Sequence, residues 1–349
     1  MRVADVVVVG GGIVGASVAY HLAREGVAVT LVDRGAAPAA GATGASFAWI
    51  GGDSGDWPGG AADLRGFVLA DHRRLAAEVS GAEVRWTGSL AWTDTSVRLR
   101  PGAPVGEGQH VVGRREIGEL EPLLRTPPER AVYTPTDGGV DPHRTTEALV
   151  DAARARGARV VYGSAVTGLR TAGGRVTGVV TATGHHPAAT VVLAAGADVN
   201  GLCESAGARL PIAASPALGL RVAAPPGLVR TILATPEFEA REARDGHLLM
   251  TAVHRDGNTE AELRAHARHA VARLREAFRD VGPVRLLGHR LGRRPMPDGG
   301  PLVGRVARAG GVYVAVMHSG VTLAPTVGRL VAEELTTGEP APELARCRP

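Results

Sequence analysis

At 349 residues, with 44% hydrophobic and 21% charged side chains, the chain has the composition of a folded globular protein and the length for two domains of roughly 150 residues each. No apolar run approaches the roughly 20 residues of a membrane-spanning helix, and the valines at 6–9 give way to glycine too early for a secretion signal. The arginines behind the net charge of +4 are scattered among acids, so neither nucleic acid nor membrane is an expected partner, and a cytoplasmic location is expected. Cys203 and Cys347 are the only cysteines and lack any metal-ligand or disulfide pattern, so no metal site is expected. All 39 basic residues are arginine, which removes Schiff-base and lysine-base chemistry.

In chain order, residues 5–9 read as a short buried strand, followed by Gly10, Gly12 and Gly15 in G-x-G-x-x-G spacing. The glycines allow a tight turn and a close approach of backbone to a pyrophosphate. A helix beginning at Ile13 and Val14 and running to about Arg24 aims its first amides at those phosphates. Gly26 stops that helix, and VAVTLVD returns as a second strand ending at Asp33, followed by Arg34. Asp33 stands 18 residues after Gly15, where a carboxylate accepts hydrogen bonds from ribose hydroxyls and repels a 2′-phosphate. The order of these pieces predicts binding of an ADP moiety, and leaves open whether it belongs to a nicotinamide or a flavin.

A nicotinamide-binding domain would continue with further strand and helix units, whereas this chain runs into GATGASFAWIGGDSGDWPGG. Its small residues, Ala42, Thr43 and Ser46 among them, suit a loop laid along a ligand, and Phe47 and Trp49 argue against a free linker. Asp141 and Pro142 then start a helix with Leu149, Ala152 and Ala153 on its buried side, ended by Gly157. RVVYGSAVTGLR reads as one strand through Val166, GRVTGVVTA as an alternating strand, and TVVLAAGA as a buried strand stopping at Ala195 and Gly196. The stretch 262–282 predicts a cover helix with Leu263, Ala267, Val271, Leu274, Phe278 and Val281 along one face. GVYVAVM is a strand, His318-Ser319-Gly320 a turn, and Val321 and Thr322 open the last helix, whose free amides offer a site for negative charge.

The glycines at 10–15, Asp33, GATGAS, the strand at Val166, VVLAAGA and GRRPMPDGGPLVG together resemble the flavoprotein family of D-amino-acid oxidase, glycine oxidase and sarcosine oxidase. The resemblance implies an α/β fold: a Rossmann-like FAD-binding domain from residues 1–75, 140–204 and 290–349, interleaved with an α+β substrate domain from 76–139 and 205–289. It implies FAD as cofactor, with the strand near Val166 against the adenine and the start of the last helix facing the flavin. It also implies oxidation of a C–N bond in a small amino acid or secondary amine to an imine, by hydride transfer to the flavin. No cysteine lies near 290–297, so the FAD is expected to be held without a covalent bond.

Within that resemblance Arg294 matches the arginine of a G-x-R-P segment that anchors a substrate carboxylate, a task suited to a guanidinium fork, with the neighbouring Arg293 one position away. His318 is placed to sit by the flavin or to cap a loop. His254 and His289 fall in the expected substrate domain, and His185 and His186 in a solvated turn. Tyr133, Trp86 and Trp92 are the other aromatic candidates for a pocket wall. Sarcosine-oxidase-like members use a lysine to activate oxygen, and none exists here. The electron acceptor is therefore either O2, with arginine or histidine as an electrostatic substitute, or another acceptor. Two alternatives remain open at this stage: an FAD hydroxylase reduced by NAD(P)H, and a non-catalytic or electron-relaying flavin-binding subunit.

Overall fold

The computed structural model describes residues 4–92, 105–205, 207–244, 246–252, 257–307 and 310–349. Its first large sheet is built on five parallel strands in the spatial order Val312–Val316, Gly184–Leu193, Ala4–Val9, Val29–Val32, Arg159–Val161. The valine-rich strands carry no polar face because both sides of the sheet are covered. One side packs against the helices Ile13–Arg24, Pro142–Ala155 and Gly320–Thr337; the other packs against the antiparallel pair Val166–Ala172 and Arg175–Thr181 and the short helix Val199–Glu204. The helix at Pro142 begins as its sequence dictates, with the Asp141 carboxylate accepting from the amides of His143 and Arg144 and proline at the first turn.

The first and last helices touch almost backbone to backbone. Ser17 Oγ donates to the Ala324 carbonyl at 2.7 Å, and a Cβ on Gly328 would fall 2.2 Å from that same Oγ. The two ends of the chain thereby close one unit.

The stretch read as one strand over 159–170 is two: Arg159–Val161 in the parallel sheet and Val166–Ala172 in the antiparallel pair. The break falls where Gly163 adopts a φ of 65° and the Gly163 and Ser164 amides bind the carbonyls of Gly35 and Asp33. Valine alternation continues through the break, so periodicity alone does not reveal it. His185 and His186 belong to the start of the strand Gly184–Leu193 rather than to a turn; His185 is exposed and His186 half-buried.

The second large sheet runs Arg285–Pro297, Ile212–Ala223, Leu248–Ala252, Glu239–Glu242, Ile232–Ala234, Ser89–Ala91, Arg130–Thr134, His110–Gly113. All its pairs are antiparallel except the one between Ile232–Ala234 and Ser89–Ala91. The helix Glu260–Ala277, opened by a Thr259/Glu262 capping box, covers one face with Leu263, Ala267, Val271 and Leu274. Arg285–Pro297 crosses residue 290, the expected domain boundary, as one continuous strand. It tolerates Pro295 and Pro297 because it lies at the sheet edge, where a missing N–H costs no ladder bond.

The opposite face of this sheet meets the first unit through positions without side chains. A Cβ on Gly219 would lie 2.3 Å from the Ala45 carbonyl oxygen, and one on Gly292 2.8 Å from the Ala45 Cβ. The turn Ala42–Ala45 therefore lies directly on the sheet.

Candidate active site

The carboxyl ends of the parallel strands, where α/β sheets bind ligands, converge on one cavity of about 690 Å³. Val9, Val32, Ala194 and Val316 line it at or just past the ends of four strands, and Ser164 lines it after the fifth.

Gly10 takes a φ of 113°, and a Cβ there would fall 2.4 Å from the Ala194 carbonyl oxygen, so only glycine holds this turn. Gly12, Ile13 and Val14 line the cavity. The Ile13 amide donates to Thr43 Oγ1 at 3.1 Å, and no acid occupies the first turn of that helix. Gly15 lies behind the loop instead: its Cβ would meet the Gly10 carbonyl oxygen at 1.9 Å, so its task is close packing of helix on strand. The Asp33 carboxylate accepts from the Gly11 and Gly35 amides, each at 2.6 Å, which holds an anion beside the glycine turn. Arg34 and Arg293 pair with the two oxygens of Asp198 at 2.7 and 2.8 Å.

Ala42, Thr43 and Ser46 line a second wall, and Val166, Ala195 and Gly196 a third. The far end is bounded by Ser319, Gly320, Val321 and Thr322, the start of the last helix, which also has no acid in its first turn. Two acid-free helix starts therefore open on one cavity, where each stabilises negative charge. With the Cβ-free turn at Gly10 and the carboxylate at Asp33, the residues fit FAD: Gly10–Val14 and Thr43 would hold the pyrophosphate, Asp33 the ribose, and Ser319–Thr322 the flavin edge.

At the flavin end stand Arg294, His318, Trp49, Glu239 and Thr251. Arg294 Nη2 donates to Ser215 Oγ at 2.9 Å and to the Pro216 carbonyl, and makes no ion pair among the described residues. Arg294 lines the cavity and Arg293 does not. Partial burial, together with the Arg294 guanidinium, lowers the His318 pKa, favouring the neutral ring.

Trp49 is fixed from behind. Its Nε1 donates to Asp137 Oδ2 at 2.9 Å, and the fully buried Asp137 carboxylate also accepts from the Gly52 amide and the Ser54 and Ser89 hydroxyls. Arg241, buried to 2% exposure, donates to the Phe47 and Val140 carbonyls, and burial lowers its pKa to about 9. The loop from 47 to 54 is thus held by two buried charged groups.

His289 pairs with Glu260 at 3.0 Å and does not line the cavity; neither do Tyr133, Trp86 and Trp92, and His254 lies outside the described residues. The aromatic wall is Phe47 and Trp49. Nothing in EFEARE or LLMTA marks Glu239 or Thr251 as a site residue. Among the described residues no group of His, Cys, Asp and Glu is arranged to hold a metal, and no helix is long and apolar enough to cross a membrane.

Comparison with known proteins agrees with this architecture. The family model described as FAD dependent oxidoreductase matches residues 5–334. The glycine oxidase of Pseudomonas aeruginosa is 29% identical over 96% of this chain and 95% of its own. The 4-methylaminobutanoate oxidase (formaldehyde-forming) of Paenarthrobacter nicotinovorans is 28% identical over 96% of this chain and 44% of its own. The solved L-amino acid deaminase of Proteus myxofaciens, in complex with anthranilate, superposes with a TM-score of 0.85 at 20% identity, covering 100% of this chain and 93% of that one. An FAD-shaped cradle built from the sequence's own glycines, and a family match running nearly end to end, lead to one conclusion: the chain is an enzyme of the FAD-dependent oxidoreductase family that contains D-amino-acid oxidase.

Proposed function

We propose that the enzyme oxidises the C–N bond of a small amino acid or secondary amine to an imine, which water then hydrolyses. The observation that carries this reading is Arg294, a guanidinium on the wall of the cofactor cavity with no carboxylate partner among the described residues. A fixed, unpaired fork of this kind matches a substrate carboxylate with two parallel hydrogen bonds. The names of the glycine oxidase and 4-methylaminobutanoate oxidase relatives point to the same chemistry.

Bound FAD supplies the acceptor for the hydride that leaves the carbon beside nitrogen. The chain's own residues do the rest. Arg294 orients the substrate through its carboxylate, Trp49 and Phe47 exclude water from one side, and the amides at Gly320–Thr322, with no side-chain cap, would offer the flavin edge donors that favour negative charge. His318 faces this space as a neutral ring able to donate or accept one hydrogen bond.

The test is the visible spectrum of the FAD-loaded protein before and after anaerobic addition of glycine, sarcosine, alanine and proline, followed by air. Bleaching by members of this panel supports the reading, and colour that returns in air identifies O2 as the acceptor, whereas persistent bleaching identifies another. A flavin that no amine or amino acid bleaches but NADPH does would replace this reading with the hydroxylase alternative.

A further inference from the structure

Among the described residues, Glu239 is the one carboxylate that lines the cavity near Arg294. Its strand pairs with Leu248–Ala252 in a register that sets Glu239 opposite Thr251, so the two side chains share a face and Thr251 Oγ1 donates to Glu239 Oε2 at 3.0 Å. Both side chains line the cavity, and in the same cross-strand row Gly219, opposite Thr251 on the next strand, receives the backbone of Ala45. Oε1 of Glu239 has no donor among the described residues, and Arg294, two strands beyond Thr251, stands near enough to act on it electrostatically yet does not form an ion pair with it.

We infer that Glu239 receives the substrate's nitrogen, and that Glu239 and Arg294 together select a zwitterionic α-amino acid, primary or N-alkylated, over a simple amine. This rests on the amine-oxidising reading above. A fixed positive and a fixed negative group on one cavity wall complement a molecule carrying the opposite pair. A ligand lacking either charge leaves one wall group desolvated without a partner, which is how a polar site rejects close analogues. In the step assigned to Glu239, one N–H bond of the bound ammonium breaks and its proton moves to Oε1. The nitrogen keeps the electron pair, no electrons leave the substrate, and the amine becomes neutral as hydride loss requires.

Burial raises the Glu239 pKa above the usual carboxylate range, against the opposing effects of Thr251 and Arg294, which brings its basicity nearer to that of a working proton acceptor. The other titratable groups on this part of the wall are Arg294 and His318; Arg241, two positions along the same strand, is tied to backbone carbonyls.

The experiment uses FAD-loaded wild type, E239Q and T251V with three ligand sets: glycine with methylamine and acetate, sarcosine with dimethylamine and acetate, and alanine with ethylamine and propionate. Reduction rates are followed across pH, and binding of acetate and propionate is read from the flavin spectrum. Wild type is expected to reduce with an amino acid at least about a hundredfold more efficiently than with its amine counterpart. E239Q is expected to lose about a hundredfold or more in kcat/KM together with the acidic limb of the pH profile. It should bind acetate and propionate at least as well as wild type, which shows an intact pocket. T251V, which loses the bond that favours the ionised carboxylate, is expected to move that limb to higher pH. Equal efficiency of wild type with amines and amino acids, or an E239Q profile like that of wild type, overturns this inference while leaving the amine-oxidising reading in place. Failure of every ligand to reduce wild type overturns both.

Discussion

At the scale of single residues, the two arginines of GRRP divide by their surroundings. Both are exposed; Arg293 is paired with Asp198, and such a pair contributes little, on the order of 0.5 kcal/mol, whereas Arg294 lines the cavity with no ion pair among the described residues. Arg294→Ala is therefore expected to raise KM for an amino acid by about a hundredfold with flavin retained, and Arg293→Ala to change it by no more than about twofold, both read from steady-state kinetics. A reversed order would move the carboxylate anchor to Arg293. Asp33 is as specific in its task, because its oxygens fix the amides of Gly11 and Gly35 on either side of the nucleotide wall. Asp33→Ala removes two charge-assisted bonds as well as the expected ribose contact. Titrating flavin-stripped protein with FAD should show affinity weakened between about tenfold and a hundredfold. Unchanged affinity would mean that the loop holds its shape without that carboxylate.

At the scale of elements, the second sheet positions the cavity wall by omitting side chains. Gly219→Ala drives a Cβ to 2.3 Å from the backbone oxygen of Ala45, and a backbone atom cannot move aside cheaply. The expected cost is about 1–3 kcal/mol, seen as a lowered thermal midpoint and weaker FAD retention, because the displaced turn carries Ala42 and Thr43. Gly288→Ala, on the edge strand with nothing within 4 Å of its Cβ, is the control and should match wild type. A Gly219→Ala protein as stable as the control would show that the turn yields. The contrast also shows what could be read from the sequence. Strand, glycine turn, helix and Asp33 are contiguous, and their apolar period and glycine spacing are local properties, so Ile13–Arg24 and the Pro142 start stand where the sequence puts them. Glu239 and Thr251 face each other across a local hairpin, but its place on the cavity wall depends on Ile212–Ala223 and Arg285–Pro297, strands far from it in sequence. Strands Ile212–Ala223 and Arg285–Pro297 were also hidden, because glycine, alanine, proline and arginine occur there in place of the alternating pattern that marks a strand.

At the scale of the whole molecule, two buried histidines stitch the first and last helices to Val68–Glu78 and make the fold sensitive to acid. His21 Nδ1 meets the Ser17 carbonyl of its own helix at 2.8 Å while its Nε2 accepts from Arg74 of Val68–Glu78 at 3.1 Å, and His72 Nε2 meets the Thr322 carbonyl at 2.9 Å in the first turn of the last helix. Pro325, in the next turn, has no N–H for the Val321 carbonyl, and the His72 ring also interacts with that carbonyl. Desolvation lowers both pKa values from 6.5 to about 4. Above pH 6.5 both rings are neutral in either state and the shift has no effect on stability. As pH falls below 6.5 the unfolded chain takes up protons that the folded protein refuses, so stability falls until about pH 4, where the folded protein is protonated as well. Each histidine can account for a loss on the order of 3 kcal/mol across that window. Because Thr322 also borders the cavity, FAD should leave as the last helix loosens. Thermal midpoints and flavin fluorescence are expected to fall and rise together between pH 6.5 and 4.5. His72→Gln, which keeps a donor but does not titrate, should start from a lower midpoint and show roughly half the slope. A variant with the wild-type slope would assign the acid sensitivity to other groups, such as Asp71, whose lowered pKa acts in the same direction at lower pH.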